Sequence, residues 1–374
     1  MILIFCCGKI FAQESYHLTG SYYQLKNLGD GVEFTYKNGK IYKHTPKFKP
    51  AIVFPSSTYE LGFFHQTTGI NEWEIRYHYP RIGASVEYTR LGNDTCFGNA
   101  ISFLPSVELN VAFHKKFRIK FKISQGAGWV TKPYDRLTNP RNNVLGSHIN
   151  DCTSFEFSLQ MKVHQNFTMG FGGSFTHWSS GSVKVPNLGI NIPSINIHLR
   201  YEPNPFSENR LHAFTFGPTR KKIIFSLSPE IGFKEKIKAD GPMFHTYGFS
   251  AMVGKYLSHW NKLWIGADFN YGNGNYYYQK AQEIFVGNFN KGCYTKSVFV
   301  HDEQEMGRIS IYEQLGFYSN NAELKLSGMY QRIGIIYTVY KFGNEKQHKV
   351  RGVATLHTHW FNAEYVACGI ICEL

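Results

Sequence analysis

The feature that most constrains this chain is a sustained period of two. From Ser106 to Phe113, Val107, Leu109, Val111 and Phe113 share one face, and Ser106, Glu108 and Asn110 share the other. After a short His114-Lys115-Lys116 turn, Phe117, Ile119, Phe121 and Ile123 alternate with Arg118, Lys120 and Lys122. From Ser154 to Val163, Phe155, Phe157, Leu159, Met161 and Val163 alternate with Ser154, Glu156, Ser158, Gln160 and Lys162. Such spacing puts successive side chains on opposite faces of a strand. A soluble antiparallel sheet also alternates. Here, however, an apolar face recurs on successive hairpins with charged groups opposite. Short turns also alternate with long polar loops, Thr131 to Asn150 and Asn273 to Gly307. Both properties predict a transmembrane β-barrel. A lipocalin-like barrel of reversed polarity shares the periodicity, but the export signal and strand number favour the membrane.

Composition agrees. The mean hydropathy of −0.31 is too low for a helical membrane protein. Beyond the N-terminus no run approaches the ~18 apolar residues of a spanning helix. In a barrel, lipid-facing and lumen-facing residues average to a soluble-looking value. The 31 Phe, 24 Tyr and 6 Trp suffice for interfacial girdles. Met1 to Gln13 reads as an export signal, with an apolar core from Ile2 to Cys7 and a cleavage-like Phe11-Ala12-Gln13. Its basic leading region is missing, and a short buried strand is the alternative. Cys6 and Cys7 belong to that segment. Cys96, Cys152, Cys293, Cys368 and Cys372 follow without a C-x-x-C pair, so neither a disulfide framework nor a zinc site is indicated. The formal charge of +13 is spread along strands rather than clustered. It suits anionic lipid head groups and does not indicate nucleic acid.

Later segments repeat the pattern. Leu263, Ile265, Ala267, Phe269 and Tyr271 share a face, as do Ile333, Ile335, Tyr337 and Val339. Ile309 to Phe317 leads through Asn320-Asn321 into Ala322, Leu324 and Leu326. The expected total is roughly 12–16 strands. A Pro-rich stretch from Glu202 to Pro218 separates about eight strands from a C-terminal set of about six. One barrel or two is left open. The expected organisation is a leader over 1–13, a periplasmic or plug-like extension over 14–50, a barrel over 51–203 and further strands over 204–374.

The segment with chemistry runs from Asn166 to Ser179. Phe167, Met169, Phe171, Gly173, Phe175, His177 and Ser179 share the apolar, lipid-facing side. On the following strand, Asn191 shares a face with Ile195, Ile197, Leu199 and Tyr201. Three polar groups thus fall at the lipid-facing end of two neighbouring strands, where they are costly unless paired or functional. One reading is a nucleophile pair meeting its substrate sideways: His177 takes the proton of Ser179 and Asn191 orients the imidazole. The other is polar residues in the head-group zone, and a bare H-x-S does not choose.

The stretch FTHWSSGSVKVPNLGIN, Phe175 to Asn191, resembles the lipid A 3-O-deacylase (PagL) family, including longer relatives described as acyloxyacyl hydrolases. That family's pattern is H-x-S-N, then P-N-x-G, then an acid two residues after the Gly. The matching positions are His177, Ser179, Pro186, Asn187 and Gly189. YPRIGASVEYTRLGN, LGNDTCFGNA and KPYDRLTNPRNNVLGSHIN extend the resemblance over about a third of the chain. The resemblance implies an eight-stranded barrel, Ser179 as nucleophile, His177 as base and hydrolysis of an ester-linked acyl chain of lipid A, without metal or cofactor. It implies an outer-membrane location and lipopolysaccharide and membrane lipids as partners. A homodimer is left open. Two positions depart from the pattern. Asn191 stands for the acid; an amide fixes the histidine tautomer but cannot offset imidazolium charge. Ser180 stands for the Asn after the nucleophile, so the Ser180 hydroxyl and Gly181 N–H become the expected oxyanion donors. Asp135 is the substitute acid that the resemblance suggests; an ordinary loop residue paired with Arg136 is the plainer expectation.

Thr358-His359-Trp360 echoes Thr176-His177-Trp178, with Phe361 where the serine stands. His357 and His359 have the i, i+2 spacing of metal ligands, but the sequence offers no evident third. The competing functional class is a non-catalytic barrel, a channel or lipid-binding scaffold, which the charged inner face and Asn191 would suit.

Overall fold

The computed structural model describes residues 29–113, 117–205, 223–235, 239–319, 328–343, 348–360 and 362–374. The expected leader, the His114-Lys115-Lys116 turn, the Ala322 to Leu326 strand and Phe361 lie outside them.

Eight strands close the first barrel: β1 Asp30–Gly39, β2 Ser56–Gln66, β3 Arg81–Arg90, β4 Asn99–Phe113, β5 Phe117–Val130, β6 Ile149–His164, β7 Phe167–Ser179 and β8 Ile190–Tyr201. Eight more close the second: β9 Ile223–Glu235, β10 Met243–Tyr256, β11 Asn261–Gly272, β12 Tyr294–Met306, β13 Ile309–Tyr318, β14 Met329–Phe342, β15 His348–His359 and β16 Asn362–Glu373. Short helices α1 (Glu72–Arg76) and α2 (Asn273–Ala281) sit in connections. Every strand pairs antiparallel with its neighbours, so no sheet edge remains open. Among the described residues no helix is long and apolar enough to cross a membrane; crossing falls to the strands.

Two expectations need correction. The extension expected over 14–50 contains a barrel strand, because Asp30–Gly39 closes the ring between β2 and β8. Val32, Phe34 and Tyr36 alternate there with buried Glu33, Thr35 and Lys37, but the run is short and flanked by polar, aperiodic sequence. The loop expected over 273–307 ends at Cys293, and Tyr294–Met306 is strand β12. There the run His301-Asp302-Glu303-Gln304-Glu305 hides the period, since both faces are polar. The C-terminal set numbers eight strands rather than six, and it forms a second barrel.

The outward faces carry the apolar band, with Phe34, Phe63, Phe103, Phe157, Phe171 and Ile197 all exposed around the first barrel. The inward faces carry charge, and the charges are paired. Lys122 Nζ lies 3.0 Å from Glu60 and 3.2 Å from Glu33, and Lys37 Nζ lies 2.7 Å from Glu87. Arg200 joins Glu33 and Glu108, and Arg81 joins Glu108 and Glu202. The second barrel repeats this with Arg351 and Lys262 on Glu303 and Glu373, and Arg332 on Asp268. An eight-stranded interior is just wide enough for side chains to fill. Removing one partner of such a buried pair costs about 3–5 kcal/mol, so the networks hold as units.

Connections between odd and even strands place 40–55, 91–98, 131–148 and 180–189 at one rim of the first barrel. Beneath that rim the interior changes from ionic to apolar: Phe48, Phe97, Leu104, Val130, Cys152, Trp178 and Ile190 form one buried cluster. This cluster is the floor on which the candidate site stands.

Candidate active site

β7 and β8 end at that rim with His177 directly opposite Asn191. Alternation does the placing. Phe175, His177 and Ser179 point outward, while Thr176 and Trp178 point in. Trp178 is 1 % exposed and packs over Gly128, where a Cβ would stand 2.2 Å from its ring. One buried indole between two outward polar residues therefore fixes the backbone that presents them. Phe171 and Phe175 continue the same face downward as exposed aromatics.

The hydrogen bonds set the chemistry of each group. His177 donates from Nδ1 to Asn191 Oδ1 at 2.6 Å, and Asn191 Nδ2 donates to His44 Nδ1 at 3.1 Å. His44 fixes the amide's orientation, and the amide then fixes the His177 tautomer. Nε2 is left with its lone pair outward, as a general base requires. Gly189 seals the other side of the ring. Its φ is +77°, and a Cβ there would lie 2.9 Å from His177 Cε1.

Ser179 Oγ accepts hydrogen bonds from Gly181 N–H and from Asn187 Nδ2, both at 3.0 Å. It also lies 3.2 Å from Asn187 Oδ1. Ser180 N–H donates to Asn187 Oδ1 at 2.9 Å, which orients that amide with Nδ2 toward the serine. Among the described residues no hydrogen bond joins Ser179 to His177. The two share a face two residues apart, within reach after rotation about the serine χ1. The Ser180 hydroxyl, expected as an oxyanion donor, instead donates to Lys184 O at 2.9 Å inside the turn. Asn187 Nδ2 stands beside the Ser179 oxygen.

Three neighbours escape a reading of the sequence. His44 lies in the stretch read as an extension. Asp151 is the register partner of Ser179, and Thr153 that of His177. Thr153 Oγ1 and Gln125 Nε2 hold its carboxylate at 2.8 and 3.0 Å, within electrostatic reach of His177. The parity of β6 extended backward from Phe155 puts Asp151 on the outer face, a signal available in the sequence. Asp135, by contrast, accepts from Leu137 N–H, Thr138 N–H and the Thr138 hydroxyl in its own loop. Those bonds hold its carboxyl below the ordinary range, and its hydrogen bonds among the described residues stay within that loop.

The third is Glu235, from the second barrel. Its side chain is fully buried against the turn that follows Ser179. Glu235 Oε2 accepts from Val185 N–H at 2.8 Å, and Oε1 lies 3.3 Å from Lys184 Nζ. Glu235 N–H donates to Ser182 O at 3.3 Å, and Ser182 Oγ donates to Ala363 O at 2.7 Å. Gly181 rests on Val366 and Leu356, leaving no room for a Cβ. Above the site, the connection 40–55 carries the exposed lysines Lys40, Lys43, Lys47 and Lys49.

Residues 57–200 match the family described as lipid A 3-O-deacylase (PagL), and residues 209–371 match the acyloxyacyl hydrolase C-terminal domain. A crystal structure described as the outer membrane enzyme PagL is 16 % identical, covering 44 % of this chain and 97 % of its own, with a TM-score of 0.31. Neisserial surface protein A is 11 % identical over 46 % of this chain and 97 % of its own, with a TM-score of 0.32. The Acinetobacter baumannii outer membrane protein Omp33 is 7 % identical over 93 % and 99 %, with a TM-score of 0.17. No curated protein matches the chain. The two domain matches fall one on each barrel: the first is similar to the lipid A 3-O-deacylase (PagL) family and the second to the acyloxyacyl hydrolase C-terminal domain.

Proposed function

We propose that this outer-membrane hydrolase removes an ester-linked acyl chain from the lipid A of lipopolysaccharide, with Ser179 as nucleophile and His177 as base. The observation that carries the reading is the chain His44–Asn191–His177, which ends two residues from a serine whose oxygen already meets two N–H donors. The site faces sideways, above exposed Phe171 and Phe175, so acyl chains lie against the barrel wall. The lysines of 40–55 suit the lipid A phosphates.

The reaction follows from these positions. Ser179 turns its hydroxyl to His177 Nε2, which takes the proton as Oγ attacks the acyl carbonyl. Gly181 N–H and Asn187 Nδ2, released from the serine oxygen, stabilise the oxyanion that forms beside it. The ester C–O bond breaks, His177 returns the proton to the sugar alcohol, and the acyl chain stays on Ser179. Water, deprotonated by His177, then attacks the acyl-enzyme and frees the fatty acid. Asp151 supplies the negative charge toward the imidazolium that Asn191 lacks.

A channel is the reading that the charged interior first suggests. The ion pairs filling both barrels speak against it, because the charges are spent on one another.

Two variants probe the histidine. Asn191→Asp adds a charge partner while keeping an acceptor at Nδ1, and kcat is expected to rise about tenfold or more, since an Asp in this role can be worth about 10⁴. Gly189→Ala puts a Cβ against the ring at a left-handed φ, a strain of about 1–2 kcal/mol. Displacing the imidazole should lower kcat roughly 10²-fold. Steady-state release of fatty acid measures both, and heat-modifiable electrophoretic migration confirms folded barrels. The test of the reading itself is mass spectrometry of lipopolysaccharide incubated with the purified protein and with Ser179→Ala.

A further inference from the structure

We infer that the rim of the second barrel holds a divalent first-row cation, zinc by its donor set, between His357, His359 and Glu364. One ligand atom from each lies within 4.8 Å of the others. The residues come from the facing ends of β15 and β16, where the register shifts between His357 and Thr358. His359 pairs in register with Asn362 as His177 pairs with Asn191. Its ring turns instead to Glu364, so the echo of the active-site strand carries different chemistry.

The three ligand atoms face one another across the hairpin. His359 Nε2 lies 2.8 Å from Glu364 Oε2, while its Nδ1 lies 3.4 Å from Met329 O. Nε2 shares a hydrogen bond with that carboxylate oxygen, and a cation entering between them takes the place of the shared proton. His357 Nδ1 approaches the same oxygen at 3.1 Å yet makes no hydrogen bond. Three possible ligand atoms thus converge on one point, and the buried Nδ1 of His357 among them has no hydrogen-bond partner. Donors bonded to tetrahedral zinc at about 2.0–2.2 Å stand about 3.3 Å apart, near the 3.1 Å between His357 Nδ1 and Glu364 Oε2, and the hydrogen-bonded 2.8 Å pair opens to admit the ion. Two imidazoles and one carboxylate form a zinc donor set.

The surroundings are those of an oriented site. Lys234 Nζ holds the other carboxylate oxygen at 2.8 Å, leaving Oε2 to bind through one atom. Tyr330 and Tyr365 stack on the buried His357 ring at 4.7 and 4.6 Å, fixing its plane. Met329 O sets the tautomer of His359, as partners of metal-bound histidines do. The Tyr318 hydroxyl, 3.4 Å from His359 Nε2, marks the fourth position for itself or a water. His359 and Glu364 keep 18 % and 26 % of their side-chain surface exposed, an entry route from solvent. Ala363, which holds Ser182, adjoins Glu364, so the ion also staples the hairpin that supports the turn after Ser179.

The full chain, purified in detergent and stripped with a chelator, should bind one equivalent of Zn(II) by calorimetry. Co(II) should give the visible absorption of a tetrahedral ion. His359→Gln and Glu364→Gln should each weaken Zn(II) binding at least roughly 10²-fold. X-ray absorption at the zinc edge of the unmodified protein should count two imidazole ligands, whatever the variants do. Absence of stoichiometric Zn(II) binding, fewer than two imidazoles, or variants that bind like the parent would each overturn the inference.

Discussion

Ser179→Ala loses release of fatty acid from lipopolysaccharide by about 10⁴-fold or more, while the barrels remain folded. The magnitude follows from the chemistry, because without Oγ there is no covalent intermediate and the two remaining donors, Gly181 N–H and Asn187 Nδ2, have no attacking atom to assist. Folding is spared because Ser179 is half-buried at the rim and its bonds are local to the turn. Mass spectrometry of lipid A reads the outcome directly: one acyl chain missing after incubation with the parent, none with the variant. A fluorophosphonate probe adds a second reading, since it should label the parent and not Ser179→Ala. Equal deacylation by both would end the serine mechanism and leave the likeness to the family standing.

Glu235→Ala, in the second barrel, lowers kcat about 10²-fold with KM little changed. Glu235 touches no substrate in this scheme. It holds Val185 N–H and Lys184, and through Ser182 it fixes the turn that carries Gly181 and Asn187. Alanine leaves a part-buried N–H without a partner, a loss of about 1–3 kcal/mol that the turn can recover only by moving. Movement misplaces the oxyanion donors and leaves the acyl-binding wall at Phe171 and Phe175 alone, hence the division between kcat and KM. Glu235→Gln keeps an acceptor for Val185 N–H and should restore most of the rate. A parent-like kcat in Glu235→Ala would show that the turn is rigid by itself and that the second barrel is no part of its support.

The alternation in β5, β6 and β7 is readable because most outward residues are aliphatic or aromatic and most inward ones are polar or small. It is lost in β12, where both faces of His301 to Glu305 are polar, and in β1 it is short and flanked by polar, aperiodic sequence. Lys37 and Glu33 in β1 find Glu87 and Lys122 across the interior. Glu303 in β12 finds Arg351 in β15, separated by 48 positions. Binary pattern alone cannot register a partner so distant. The same limit hid the third ligand candidate of the second barrel: Glu364 joins His357 and His359 only because a hairpin folds β16 back onto β15.

The sequence alone determined a transmembrane antiparallel barrel architecture and the placement of His177, Ser179 and Asn191 on one outward rim. Strand parity is a local property, and a motif with fixed spacing on adjoining strands carries its own geometry. Tertiary structure decided what parity cannot carry: closure of two rings, the paired state of the inner charges, Asp151 opposite the serine, and Glu235 beneath the turn. Each depends on register between strands or on one barrel standing against another, and both are set by the summed packing of many residues rather than by any local run.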